Sequence, residues 1–284
     1  FGRGFYVLDD FSSLRLATPE VLAQPAVLFP TRPALAYVPA LPLGGWGKAY
    51  QGENFFVADN PPFGAVFTYY LKDGFKTLKE KRQDAEKEAL EKKATPPPYP
   101  TMDALRAEAA EEEPQILLTV TDPDGGVIRR MTAPASKGLH RVAWDLRFAA
   151  STPAELKAPE REPGEPAPSD VLVAPGTYRV TLASRLGGVV TPLAPAQSFE
   201  VVPAKRAALA APDRAVVLAF ERRAARLQRA VLGAIRVADE GRQRIALLRR
   251  ALVDTPGADQ GLFGELSALD ARLDKILIAL RGDD

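Results

Sequence analysis

A single histidine, His140, is the whole imidazole inventory of this 284-residue chain, and cysteine is absent. That composition removes thiol catalysis, disulfides, cysteine metal sites, HExxH zinc sites and histidine clusters together. His140 stands in GLHRVAW with no nucleophile at a recognisable spacing, and a catalytic imidazole needs a positioned partner. The carboxylates fare no better. Asp9 and Asp10 are neighbours on a stretch that reads as a strand, so they point to opposite faces and cannot flank one glycosidic bond. Asp122 and Asp124 in TDPDGG suit a hairpin turn, because a calcium loop needs more ligands and a Glu at its twelfth position. Asp145 and Arg147 of WDLR share one strand face as a ladder pair, while Trp144 and Leu146 share the other. What remains for recognition is aromatic. Trp46 in the glycine-rich GGWG, Tyr69 and Tyr70 in GAVFTYYLK, and Trp144 are the candidate stacking platforms for a sugar or a partner. No catalytic residue, metal ligand or cofactor site emerges from the spacing.

Charge and hydropathy narrow the partners. Lys and Arg total 37 against 36 Asp and Glu, which gives no electrostatic case for nucleic acid or an anionic membrane. No apolar run reaches the roughly 18 residues of a membrane span. The 26 prolines cluster in loops, the pattern of extended connectors around β-structure. The opening residues carry neither an initiator Met nor a signal peptide, as expected of a mature or excised fragment.

Patterning predicts the elements that would carry these residues. GRGFYVLDD (2–10) reads as a strand with no similar partner for some forty residues, so its partner is expected outside this sequence. Residues 11–59 read as a proline-rich extended arm, with a short helix start at Thr18-Pro19-Glu20 and prolines that bar LFPTRPALAYVPALP (28–42) from a central-strand role. A strand follows at 64–72, with Ala65, Phe67, Tyr69 and Leu71 on one face. Residues 74–113 read as a charged helical insertion, broken by ATPPPYP (94–100) and restarted at an N-cap, Thr101. Then come a hairpin over 115–134, a strand over 138–148 and two or three strands from TYRVTLA, GVVTPL and QSFEVV within 174–202. Tyr178 is placed to bond its hydroxyl to loop backbone, like a tyrosine corner. Six or seven short strands with regular turns predict a β-sandwich over 60–203. Beyond it, apolar residues at 216, 220, 227, 231, 235, 245, 248 and 252, then at 262, 266, 269, 273, 276 and 280, predict an antiparallel helical hairpin over 208–284, with a kink near Gly233 or Gly241.

The strings GRGFYVLDD, LFPTRPA, NPPFGAVFTYYLKD, LHRVAWDLR, APGTYRVTL and FEVV, in that order, resemble the C-terminal part of bacterial sortilin-like β-propeller proteins of the BNR-repeat, glycosyl-hydrolase-like kind. The resemblance implies that residues 1–10 are the closing strand of a propeller absent from this chain. It also implies that 60–203 is an immunoglobulin-like sandwich, and that the protein is secreted or held in the periplasm or cell envelope. The family's catalytic carboxylates and its Asp-box repeat lie in the propeller, and no such repeat occurs here. The expected function is therefore a non-catalytic structural or interaction module mediating protein–protein assembly. Its expected partners are the propeller of the same parent protein, other protein chains or copies of itself. An accessory carbohydrate-binding or supporting domain of a propeller glycoside hydrolase is the alternative.

Overall fold

A computed structural model of the chain describes residues 8, 10–39, 60–95, 97–154, 170–204 and 211–282. Of the opening strand only Leu8 and Asp10 fall among them, and Trp46 lies outside the described residues. The chain divides into two compact units, one of Phe1–Ala149 with Leu172–Arg214 and one of Ala150–Val171 with Ala215–Asp284.

The first unit is built on two sheets. In the smaller, β1 (Ala26–Leu28), β3 (Ala65–Leu71) and β6 (Gly138–Trp144) are antiparallel in the order β1-β3-β6. The larger has the order β2-β8-β7-β4-β5, from β2 (Ala34–Ala36), β4 (Gln115–Thr121), β5 (Val127–Ala133), β7 (Gly176–Leu186) and β8 (Val189–Pro203). Alternation decides which face turns inward: Ala65, Phe67, Tyr69 and Leu71 of β3 are buried, as are Ile116, Leu118 and Val120 of β4. Both sets belong to one core, completed by Trp144, Tyr178, Val180, Leu182 and Phe199. The larger sheet curls, and the β7–β8 pairing slips at Val180/Leu182 and Leu182/Ala183, where bulges add twist.

One segment differs from the sequence reading and another narrows it. The proline-rich stretch supplies an edge strand to each sheet: β1 pairs with β3, and β2 pairs in parallel with β8. Short strands at sheet edges tolerate the flanking Pro25, Pro30 and Pro33, since an outward N–H is not needed. Of the two or three strands expected over 174–202 the structure has two, with GVVTPL and QSFEVV joined in β8. Its Pro192 and Pro195 survive because β2 pairs only with Val201–Pro203, which leaves the earlier part of β8 with an open edge.

Between β3 and β4 stand two charged helices, α3 (Leu78–Glu91) and α4 (Met102–Ala110), after the short α1 (Ser12–Leu16) and α2 (Pro19–Leu22). Thr77 and Glu80 form a full capping box on α3, and Thr101 caps α4 through Ala104 N–H. The Arg82 guanidinium donates to Glu108 at 2.7 and 2.9 Å and to Glu86 at 2.8 Å, tying α4 to α3.

The second unit is a helical pair, α5 (Ala211–Asp254) and α6 (Leu262–Arg281). Arg242 pairs with Asp270 and Asp274, each at 3.3 Å; Arg249 pairs with Asp270 at 3.1 Å; Arg281 pairs with Asp239. The partner number falls as the α5 number rises, so the helices run antiparallel. α5 is one unbroken helix. The expected kink is absent because Gly233 and Gly241 both keep the helical ladder, and a lone Gly weakens a helix without breaking it. Gly241 has a packing reason: a Cβ there would meet Leu273 Cδ1 at 3.0 Å, whereas one at Gly233 would meet nothing within 4 Å.

Two stability predictions follow from these glycines and from Gly64. Gly233→Ala raises the thermal midpoint of the helical signal by the equivalent of up to about 1 kcal/mol, and Gly241→Ala gains less. Gly64 has φ +102°, and its Cβ would lie 1.9 Å from the Trp144 carbonyl oxygen. Gly64→Ala therefore costs at least about 3 kcal/mol in denaturant titration, against about 1 kcal/mol for Gly125→Ala; Gly125 has φ +85° and open space.

Candidate functional site

The first unit carries an open cleft of about 520 Å³ on the outward side of the smaller sheet. That volume lies within the ordinary range of small-ligand sites. Its floor is Val66 and Arg141, on the face of β3 and β6 opposite the core. Arg32, Leu35, Tyr37 and the stretch from Asn60 to Phe63 also line it.

Local structure fixes each group. Asp10 precedes α1 and takes the Ser12 N–H at 3.0 Å and the Ser12 hydroxyl at 2.7 Å on one oxygen, Oδ1. The Arg32 guanidinium stands 3.7 Å from the same oxygen. Burial alone would push the Asp10 pKa up. The two Ser12 bonds and the charges of Arg32 and Arg141 outweigh it and hold the carboxyl below the usual carboxylate range. Asp10 is thus a fixed anion at neutral pH and a poor general acid. Arg141 lies opposite Thr68 in the β3–β6 register and is exposed. Tyr37 meets Phe63 edge to face, with ring centroids 4.8 Å apart at 74°. Gly64 follows Phe63 and lets the chain turn into β3 against the Trp144 carbonyl.

The aromatic candidates fall in other places. Tyr69 and Trp144 are fully buried and cannot stack on a ligand. Their positions on the core face of β3 and at the end of β6 decide this, and their polar tips are already bonded. Tyr69 hydroxyl donates to the Pro134 carbonyl at 2.5 Å, and Trp144 Nε1–H to the Arg147 carbonyl at 2.9 Å. Burial also pushes the Tyr69 phenol well above its ordinary pKa. Tyr70 is half-buried on the outward face with Val66, and Trp46 is outside the described residues. His140 stacks on Tyr69 with centroids 5.1 Å apart, and its Nε2 lies 2.7 Å from the Ser136 carbonyl. A carbonyl only accepts, so Nε2 carries the proton and the ring serves the strand end. Asp122 closes the β4–β5 turn by accepting from Gly126 N–H at 2.6 Å.

The cleft residues were not marked by spacing. Asp10, Arg32, Asn60 and Arg141 come from four separate stretches, and only the pairing of the strands brings them together. Among the described residues no group of three or more His, Asp or Glu is placed to hold a metal ion. None of their helices is long and apolar enough to cross a membrane.

Because the folded pKa of Asp10 is depressed, its contribution to stability is fully present above its unfolded value, about pH 3.9. It is lost as pH falls through the lower folded value. The stability difference between the unaltered chain and Asp10→Asn should hold constant from pH 7 to about 5 and vanish toward pH 2; a difference that stays constant down to pH 2 would contradict the ion pair. Compared with known proteins, the chain matches no family model and no curated protein.

Proposed function

We propose that the chain is a non-catalytic structural and interaction module of a secreted or cell-envelope protein, set behind a sortilin-like β-propeller. On this reading the two-sheet unit is an immunoglobulin-like sandwich, and the helical pair assembles with the propeller, with other chains or with copies of itself. The sandwich reading draws support from the core shared by the two sheets and from the Tyr178 hydroxyl, which donates to the Ala174 carbonyl at 2.5 Å across the turn into β7.

One observation carries the assembly reading: toward the N-terminus of α5 an apolar stripe stands exposed, although Ser151, Ala150 and Ala154 bond to Gln228, Arg229 and Arg236 nearby. Ala238 and Ile245 are buried in the helical unit. At helical spacing the same stripe continues toward the N-terminus through Leu227, Phe220 and Val216, which are 66%, 72% and 71% exposed. The pairing of Arg281 with Asp239 marks where α6 ends along α5, so the stripe outruns its cover. Burying such residues is worth roughly 1.5–3 kcal/mol each, and contiguous exposed apolar surface marks interaction sites. The alternative, an accessory carbohydrate-binding domain, is favoured by the cleft, whose charged and aromatic groups face solvent.

Sedimentation velocity at rising concentration tests the assembly reading. The unaltered chain should associate, and Phe220→Glu with Leu227→Glu should weaken association by at least about a hundredfold, the equivalent of about 2.7 kcal/mol. A strict monomer up to about 1 mM, with no change in the double variant and no capture of the parent propeller, would sink it.

A further inference from the structure

We propose that the cleft bounded by Asp10, Arg32, Tyr37, Asn60 and Arg141 is a binding site for a carboxylated saccharide. The inference deepens the carbohydrate-binding alternative and is independent of the assembly reading.

The unspent hydrogen-bonding capacity of the cleft defines the ligand. Every bond to Asp10 among the described residues goes to Oδ1, so Oδ2 can accept from a ligand hydroxyl. Arg32 makes one long ion pair and its side chain is 63% exposed. Arg141 is exposed and makes no hydrogen bond or ion pair among the described residues. Asn60 adds an exposed amide. Carboxylate, amide and guanidinium are planar groups with paired donors or acceptors, and pairs of adjacent hydroxyls on a sugar ring offer the matching geometry. Tyr37 supplies the other half of sugar recognition. It is 47% exposed and lines the cleft, its ring stands roughly perpendicular to that of Phe63, and an aromatic face accepts the apolar C–H side of a pyranose. Among the described lining residues one carboxylate stands against two guanidiniums, a balance of one net positive charge. A carboxylate on the sugar neutralises it, with Arg141 placed for a bidentate contact.

A peptide ending in a free carboxylate would use the same arginine. The saccharide is favoured because the aromatic lining is a half-exposed ring in an open cleft rather than a closed pocket for a side chain, and because four polar groups share the cleft with it.

Isothermal titration of the full chain with D-glucuronate, with D-glucose as the uncharged counterpart, tests the assignment. Expected is saturable binding of glucuronate near 1 mM, with glucose at least about tenfold weaker. Tyr37→Ala and Arg141→Ala should each weaken glucuronate by about tenfold or more; the unfolding midpoint should stay unchanged for the exposed Arg141 and fall slightly for Tyr37, whose ring packs on Phe63. Absence of saturation by either sugar up to about 50 mM overturns the proposal, as does saturable binding of Gly-Gly-Phe in their place. Sugar binding that both variants leave intact overturns the cleft assignment and leaves the carbohydrate-binding alternative standing.

Discussion

Four aromatic rings hold the two sheets of the first unit together, and most other features of that unit serve them. Phe67 and Trp144 come from the smaller sheet, Tyr178 and Phe199 from the larger. Centroid distances are 5.3 Å for Phe67–Phe199, 6.0 Å for Trp144–Tyr178, and 6.1 Å for both Trp144–Phe199 and Tyr178–Phe199. Such rings bury large apolar areas, and Trp and Tyr must also find partners for their polar tips. Both do so within a few residues, at the carbonyls of Arg147 and Ala174. The Trp144 bond draws the chain into a tight turn in which Leu146 takes φ +57°, a conformation that disfavours any L-residue by about 1–2 kcal/mol. Full burial of the Leu146 side chain, worth roughly 1.5–3 kcal/mol, offsets that strain. On the other side the Trp144 carbonyl crowds residue 64 so closely that only glycine fits.

The helical unit obeys a different constraint. A 44-residue helix cannot be covered along its length by a 20-residue partner, since each residue adds only about 1.5 Å. Its ion pairs with α6 gather between Asp239 and Arg249, where Arg on one helix meets Asp on the other. Those pairs are surface-exposed and individually weak, so they fix direction and register more than stability. Among the described residues α6 buries Ala238 and Ile245 of the stripe, residues 150–154 bond to α5 at Gln228, Arg229 and Arg236, and Val216, Phe220 and Leu227 stay exposed.

Much of this was legible from local pattern. The alternation in β3, the caps at Thr18 and Thr101, and the Tyr178 corner depend on residues a few positions apart, and each stands where its spacing put it. What escaped was decided by distant pairing. Pro30 and Pro33 bar only a central-strand role, and the edge pairing of Ala26–Leu28 and Ala34–Ala36 on either side of them was set by which distant strands lay beside them. The two-residue period already put Tyr69 and Tyr70 on opposite faces; which face meets the core was decided by the packing of the second sheet. Trp144 reads as a recognition residue by type and is a core residue by position. The cleft was the least legible feature, because its acid and its two arginines lie on three segments whose proximity only the strand register creates.

That register also explains why the cleft is a credible place for recognition. Between β1 and β2 the chain crosses from one sheet to the other in five residues, 29–33. Phe29 is buried, its N–H donates to the Thr68 carbonyl at 3.0 Å, and two prolines fix φ on either side of Thr31-Arg32. Arg32 therefore rises from a backbone pinned at both ends. Arg141 rises from a strand paired along seven residues with β3, and Asp10 is anchored by the start of α1. Rigid supports of this kind lower the ordering cost of binding, which falls on the ligand rather than the protein. A charged cleft made from three mobile loops would close on itself through its own ion pairs. Here the Arg32–Asp10 separation of 3.7 Å is held by the scaffold, and the charges stay available to a ligand.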